Sequence, residues 1–91
     1  MTGADYRLRI ARAAARALAE LLPEKVATAA HEFITGPLLD APHTVGKPLD
    51  PPLAPLWSAR RGPYRVIYLI DDTSGIVEVT AVRHRKDAYH T

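Results

Sequence analysis

The sequence contains no cysteine, so neither disulfide bonds nor thiolate metal ligands can stabilise the fold. Its apolar stretches are short and interrupted by Arg, Glu or Pro, which argues against a transmembrane helix, and its first residues lack the apolar segment of a signal peptide. We also find no glycine-rich phosphate loop, no carboxylate pair at catalytic spacing and no nucleophile motif. These absences predict a cytoplasmic protein that needs no metal or cofactor and does not contact a membrane.

The composition is that of one globular domain, which we expect to span residues 1–91. Apolar residues make up 47% of the chain and charged residues 24%, well away from the extremes of disordered chains. A chain of this length buries only about 60–65% of the surface that its unfolded form exposes. We therefore expect a small stability margin.

The distribution of positive charge is more informative than its sum. Twelve Lys and Arg against ten Asp and Glu leave a net charge of only +2, which is weak evidence for a nucleic-acid partner. Most of the cations are arginines, and they fall into three groups: Arg7, Arg9, Arg12 and Arg16; Arg60, Arg61 and Arg65; Arg83 and Arg85, with Lys86 beside the last.

The first third of the chain predicts one strand and two helices. Residues 6–10 alternate apolar and basic, which is typical of a strand with one buried face. The alanine-rich segment 11–22 predicts a helix that ends at Pro23, and Pro23 is suited to the first position of a second helix ending at Gly36. The predicted core faces of the two helices are Ala14, Leu18, Leu21 and Leu22, and Val26, Ala30, Phe33 and Ile34.

The rest of the chain predicts a stiff connector and then a β-meander. Residues 36–55 hold six of the eight prolines, so neither a long helix nor a central strand can form there. Strands are predicted over 56–60, 64–70 and 76–82, separated by turns rich in Gly, Pro, Asp and Ser. The order β-α-α-β-β-β predicts an α+β domain: a small, mostly antiparallel four-stranded sheet with two helices on one face.

Arg65 is the first candidate functional residue, because its strand alternation places it among apolar neighbours. A guanidinium in such surroundings needs a counter-charge or an exposed strand end. One interpretation is a cross-strand pair with Glu78. The other is an arginine directed at a phosphate group.

The polar tail from Arg83 to His90 is the second candidate. It follows the last predicted strand directly, so its first residues can converge on the arginines of the hairpin. Cleavage of RNA through the 2′-hydroxyl needs a proton acceptor, a proton donor and cations that stabilise charge on phosphorus. Arginines suit the phosphate, Tyr89 offers a ring for a base, and His84 and His90 could form an acid–base couple. The alternative is a solvated, charged C-terminus.

Two segments of the sequence resemble the RelE toxins of bacterial toxin–antitoxin pairs. They are G-x-Y-R-V-I-Y at residues 62–68 and H-R-x-x-x-Y at 84–89, with a weaker G-K-P-L at 46–49, and the likeness extends over nearly the whole chain. It implies the RelE branch of the RelE/ParE superfamily: an endoribonuclease that enters the vacant ribosomal A site and cuts the mRNA there. It also implies a RelB-like antitoxin, partly disordered when free, that wraps the toxin in a hetero-oligomer.

The resemblance also implies roles for individual residues. Arg65 corresponds to the phosphate-stabilising arginine on the central strand, Arg85 to the arginine after the last strand, and Tyr89 to the C-terminal tyrosine that orients or stacks on a base. Further RNA contacts are expected from Lys47, Arg60, Arg61, Arg83, His84 and Lys86.

One departure from the RelE pattern concerns the general base. RelE toxins carry lysines on the strand before the hairpin turn, whereas residues 56–60 here contain none. Lys47, Arg61, His84 or His90 are possible replacements, although a guanidinium is a poor base at neutral pH. Two other functions stay open: a ParE-like toxin that binds and poisons DNA gyrase, and a catalytically weak regulator that acts through its antitoxin.

Overall fold

The computed structural model describes residues 6–84. The elements, in chain order, are β1 Arg7–Ile10, α1 Arg12–Arg16, a π-helical turn Ala17–Leu21, α2 Glu24–Thr35, α3 Pro37–Asp40, β2 Lys47–Pro48, β3 Trp57–Arg61, β4 Tyr64–Asp71 and β5 Ile76–His84. The strands lie side by side in the order β1-β5-β4-β3-β2, and only β1 and β5 are parallel. The predicted α+β class with a mostly antiparallel sheet is confirmed, but the sheet has five strands where the sequence predicted four.

One face of the sheet packs against the helices, and we call it the inner face. α1 contacts β5, and α2 contacts β4. The buried core consists of Ala14, Ala17, Leu22, Ala30, Phe33, Ile34, Leu38, Ala59, Tyr64, Val66, Tyr68, Val77, Val79 and Val82. Alternate residues of β3, β4 and β5 therefore project from the opposite side, which we call the outer face.

A β-bulge sets the register between the two long strands. Ile67 lies opposite Ala81, but the next residue, Tyr68, lies opposite Val79, so Thr80 is an extra residue on β5. The Thr80 hydroxyl donates to the Ile67 carbonyl oxygen at 3.2 Å. The bulge explains why Val79 and Val82, three residues apart, are both buried.

The two hairpin turns follow from their glycines. The loop between β3 and β4 is only Gly62-Pro63, and Gly62 has a φ of 54°, the positive value that a type II′ turn requires at its first central position. Gly75, before β5, has a φ of 69° and donates its N–H to the Asp71 carbonyl oxygen. Both turns lie where the sequence predicted them.

The first helix differs from its prediction. The Leu22 N–H donates to the Ala17 carbonyl oxygen at 3.0 Å, which is a π-type bond across five residues. The wider turn shifts the phase of the helix, so Leu22 is buried while Leu21 is 61% exposed. The expectation that Leu21 belongs to the core face was wrong for this reason.

The second helix and the connector also differ in detail. Pro23 is the N-cap of α2 rather than its first helical residue, and its carbonyl oxygen accepts the first bond, from Ala27. The predicted core face of α2 is confirmed by the burial of Ala30, Phe33 and Ile34. The connector contains one helical turn, α3, and the edge strand β2, where a proline is tolerated because its missing donor faces away from the ladder. No helix in the described part of the chain is long and apolar enough to span a membrane.

Candidate nucleic-acid interface

Three arginines lie in a row across the outer face of the sheet. Arg65 on β4 is the direct cross-strand partner of Arg60 on β3 and of Arg83 on β5. Directly opposite residues project to the same side of an antiparallel ladder, with Cα atoms about 5 Å apart. All three side chains are exposed. We call Arg60, Arg65 and Arg83 the arginine row.

The arginine row has no acidic partner among residues 6–84. The salt bridges there are Arg16–Glu20 and His43–Asp72. Glu78, the partner proposed for Arg65, instead lies opposite Leu69 and Arg9, roughly 13 Å along the strand at 3.3 Å per residue. The Arg65–Glu78 pair was therefore wrong, because the register of the hairpin could not be read from the sequence.

Like charges placed directly opposite each other destabilise a sheet. A row of three guanidinium groups is therefore a cost to folding that an anionic ligand would relieve. Guanidinium forks bind phosphate oxygens in a bidentate manner. The geometry of the row matches a ligand with closely spaced negative charges, such as a nucleic-acid backbone.

A groove of about 440 Å³ runs from the arginine row to β2. It is lined by Thr44, Val45, Gly46, Lys47, Leu49, Ser58, Arg60 and Arg65. Lys47 lies opposite Ser58, on the same face as Arg60, so its amine joins two of the three arginines around this groove. We call it the basic groove.

A second groove, of about 370 Å³, lies on the other side of Arg65. Its lining is mostly apolar, with two arginines at the edge: Leu49, Leu53, Leu56, Ser58, Arg65, Ile67, Thr80, Ala81 and Arg83. We call it the leucine groove. Arg65 lines both grooves and therefore stands at the centre of the outer face.

A buried tyrosine fixes the wall of the basic groove. Tyr68 is fully buried, and its hydroxyl donates to the Pro42 carbonyl oxygen at 2.7 Å. Burial raises the pKa of Tyr68 to about 12, so the hydroxyl stays protonated and keeps donating. Gly46 passes directly over this hydroxyl, since a Cβ at that position would lie only 2.8 Å from the Ser58 carbonyl oxygen and closer still to the Tyr68 oxygen.

A polar network ties the same loop to the opposite end of the sheet. His43 Nε2 lies 3.0 Å from Asp72 Oδ2, and the Tyr6 hydroxyl donates to Asp72 Oδ1. The His43 and Trp57 rings also pack nearly perpendicular to each other, with a centroid distance of 5.5 Å. The hydrogen bond from Tyr6, and then the one with His43, lower the pKa of Asp72. Sequence reasoning missed this network, because its members are distant in the chain.

Asp72→Asn is expected to make unfolding less sensitive to acid. The folded pKa of Asp72 lies below its ordinary value of 3.8, so the ionised carboxylate stabilises the fold above that pH, and this contribution is lost as the pH falls through the folded pKa. Thermal midpoints measured from about pH 7 down to about pH 2 should fall less for the variant than for the wild type. Asp50→Asn, an exposed carboxylate of the connector, is the matched control and should follow the wild type. If the thermal midpoint of Asp72→Asn fell with pH as steeply as that of the wild type, the role of the network would be contradicted.

The structure does not bring every predicted RNA-binding residue to the outer face. Arg61 lies next to Arg60 and so points to the inner face, where its guanidinium carbon lies 4.6 Å from the centre of the Phe33 ring. His84 is half-buried opposite the buried Tyr64, also on the inner side of β5. These two residues are therefore separate from the arginine row, whereas Lys47, Arg60, Arg65 and Arg83 are brought together.

The tail that the sequence singled out lies mostly outside the described residues. Arg85, Lys86, Tyr89 and His90 belong to this part, so their predicted convergence on Arg65 stays a prediction. Within residues 6–84 no group of three or more potential ligands could hold a metal ion. The described site is thus one of cations and apolar side chains.

With this geometry in place, comparison with known proteins identifies the class. Residues 5–89 match the family described as the ParE toxin of the type II toxin–antitoxin system parDE. Two toxins of Mycobacterium tuberculosis are similar over 84 residues. Toxin RelE is 50% identical to this chain, and the match covers 92% of this chain and 86% of that toxin. Toxin RelG is 44% identical, and the match covers 92% of this chain and 95% of that toxin. Toxins of type II toxin–antitoxin systems are the class that these matches define.

Solved structures agree with this class. A chain of the RelBE2 toxin–antitoxin complex of Mycobacterium tuberculosis superposes with a TM-score of 0.85 and 43% identity, over 89% of this chain and 99% of that one. A chain of the archaeal RelE–RelB complex of Pyrococcus horikoshii superposes with a TM-score of 0.69 and 25% identity, over 89% of this chain and 96% of that one. The protein belongs to the RelE/ParE toxin family, and the relatives named here are RelE-type toxins.

Proposed function

We propose that the protein is a ribosome-dependent mRNA endonuclease that inhibits translation by cutting mRNA in the ribosomal A site. The observation that carries this proposal is the arginine row, whose charge has no acidic partner among the described residues. The names of the two RelE-type relatives support it. The cost of placing three like charges side by side is understandable if the fold has to bind a phosphate backbone.

The proposed chemistry is attack of a ribose 2′-hydroxyl on the adjacent phosphate, in which the new bond to phosphorus forms as the bond to the 5′-oxygen of the next nucleotide breaks. A base takes the proton of the 2′-hydroxyl, and an acid gives a proton to the leaving 5′-oxygen. Arg65, at the centre of the row, binds the phosphate that is cut and stabilises the additional negative charge of the transition state. Arg60 and Arg83 bind the RNA backbone on either side of this phosphate. Arg85 contributes a further cation and Tyr89 stacks on a base, as the resemblance to RelE implies.

The proton acceptor does not come from the arginine row, because guanidinium groups remain protonated. Lys47 places an amine in the basic groove, next to Arg60 and Arg65. His84 lies on the inner side of the sheet and is a weaker candidate. In this proposal most of the rate enhancement comes from positioning the RNA on the ribosome and from charge stabilisation.

We also propose a RelB-like antitoxin as the partner that keeps the toxin inactive. The two similar solved structures are complexes of RelE-type toxins with their antitoxins. A basic surface on a small domain suits an acidic peptide that is partly disordered when free and folds on contact. Co-purification with the product of the neighbouring reading frame tests this partner, and toxin that remains inactive without any partner would contradict it.

A second candidate function is binding and poisoning of DNA gyrase. The description of the matching family as ParE toxin favours it. In that case the outer face would be a protein-binding surface without chemistry of its own. The arginine row favours the nuclease, because three adjacent guanidinium groups match the closely spaced charges of a phosphate backbone.

The two functions are separated by inducing expression in a bacterial host. The nuclease predicts growth arrest and mRNA cut within codons, only where the message is being translated. Mutating the start codon of a reporter message should abolish its cleavage. Arg85→Ala and Tyr89→Ala should lose toxicity and keep antitoxin binding. Intact mRNA together with a DNA-damage response would overturn the nuclease and support the gyrase poison.

A further inference from the structure

The proposed phosphate binding uses the two arginines of the leucine groove and leaves its apolar lining without a role. Three leucines of the connector form one wall, and Ile67 and Ala81, opposite each other in the sheet, form the floor. Leu53 is 54% exposed, so part of the apolar lining faces solvent. This apolar surface and the arginine row meet at Arg65.

The leucine wall is held in a defined position. Leu49 donates its N–H to the Leu56 carbonyl oxygen at 2.9 Å, which closes the loop at its base. Within the loop, Leu53 donates to the Asp50 carbonyl oxygen at 2.9 Å, and Leu56 donates to that of Leu53 at 3.0 Å. A wall with its own backbone hydrogen bonds can form a preformed pocket, because little ordering is needed when a ligand binds.

The chemistry of the lining fits a flat, partly polar ring. Arg65 and Arg83 lie at the edge, and a guanidinium plane stacks well on a nucleobase. The leucine side chains offer an apolar surface to the other face of the ring. At the floor, the Thr80 hydroxyl donates to Ile67, which leaves its oxygen able to accept a hydrogen bond from the edge of a base.

We propose that the leucine groove binds an unstacked nucleobase of single-stranded RNA while the arginine row binds the phosphate of the same strand. This inference rests on the proposed nuclease function and adds a base-binding subsite to it. Leu49, Ser58 and Arg65 line both grooves, so an anion and a flat ring bound there are neighbours. A nucleotide carries both groups in one covalent unit. The subsite selects single-stranded RNA, because only an unstacked base can enter.

Cleavage of defined mRNAs on purified ribosomes tests the subsite. Three messages each carry one abasic nucleotide in the A-site codon, and a fourth is unmodified. With wild-type toxin, one of the abasic positions should lower the cleavage rate about 5- to 150-fold, the range expected for loss of one stacked base. Leu53→Ala should lower the cleavage rate of the unmodified message. With this variant, the abasic nucleotide at the same position should cause a smaller further loss of rate than it does with the wild type. This non-additivity identifies the contact between Leu53 and the base.

The matched control is Leu21→Ala, which shortens a similarly exposed leucine on the helical side of the protein. It should cleave all four messages as the wild type does. If Leu53→Ala also behaves as the wild type on every message, the subsite is wrong while the nuclease stands. If the Leu53→Ala toxin cleaves every message at the wild-type rate but is no longer inhibited by the antitoxin, the groove binds a peptide instead of a base, and the proposal is overturned. A wild-type toxin that cuts no message on ribosomes would contradict the nuclease function itself.

Discussion

Arg65→Ala is expected to lower mRNA cleavage by about 10²–10³-fold, the loss typical of removing one group that stabilises charge in a transition state. Arg65 is the middle residue of the arginine row and lines both grooves, which places it beside the phosphate that is cut in the proposed complex. The rate should be measured in single turnover on ribosomes with a vacant A site. The cleavage rate of Arg65→Lys should lie between those of the wild type and Arg65→Ala, because an ammonium group keeps the charge but lacks the bidentate fork.

The same substitution should leave the fold at least as stable as before. Removing the central charge relieves its repulsion with Arg60 and Arg83. Thermal unfolding of Arg65→Ala should therefore occur at an equal or higher temperature. The control is Arg16→Ala, which removes an exposed arginine of α1 paired with Glu20 and should keep full activity. Loss of activity accompanied by a clear loss of stability would contradict a direct role for Arg65.

Gly46→Ala is expected to destabilise the protein by about 2–4 kcal/mol, through steric overlap and the loss of a buried hydrogen bond. The added methyl group would overlap the Tyr68 hydroxyl and lie 2.8 Å from the Ser58 carbonyl oxygen. Relief requires that the loop lift away from β3, which separates Tyr68 from Pro42 and moves Lys47 out of the basic groove. Denaturant unfolding measures the stability, and the same variant should also bind RNA more weakly.

A double-mutant cycle shows whether the overlap with Tyr68 is the cause. Tyr68→Phe alone leaves the Pro42 carbonyl oxygen without its donor and should cost about 1–3 kcal/mol. In that background Gly46→Ala should cost at least about 1 kcal/mol less than it does in the wild type, because the hydroxyl that it would meet is gone. Additive effects would place the strain elsewhere, for example at the Ser58 carbonyl.

Much of the fold could be predicted because it is encoded locally. The alternation in residues 6–10, the β-branched run after Pro63 and the turn at 71–75 each specify a strand or turn without reference to the rest of the chain. The differences arise where tertiary contacts decide. The π-helical turn depends on how Ala17 and Leu22 pack, and β2 is two residues long, so its pairing with β3 has no sequence periodicity to reveal it.

The candidate site was predictable in part. The strand period alone separates Arg60 from Arg61, so sequence reasoning could have assigned Arg61 to the inner face. The position of Arg83 opposite Arg65 could not be obtained in this way, because the bulge at Thr80 shifts the register by one residue. The leucine groove was missed, since its wall comes from a proline-rich connector whose path depends on long-range contacts with Tyr68 and Trp57.

Cleavage of a 5′-labelled mRNA by purified wild-type toxin tests the central claim most directly. Three samples are compared: ribosomes with a vacant A site, ribosomes whose A site is filled by tRNA, and no ribosomes. We predict a cut within the A-site codon in the first sample, and an uncut message in the other two. An uncut message in all three, with purified gyrase inhibited by the same toxin, would show that the arginine row serves a protein partner instead of mRNA.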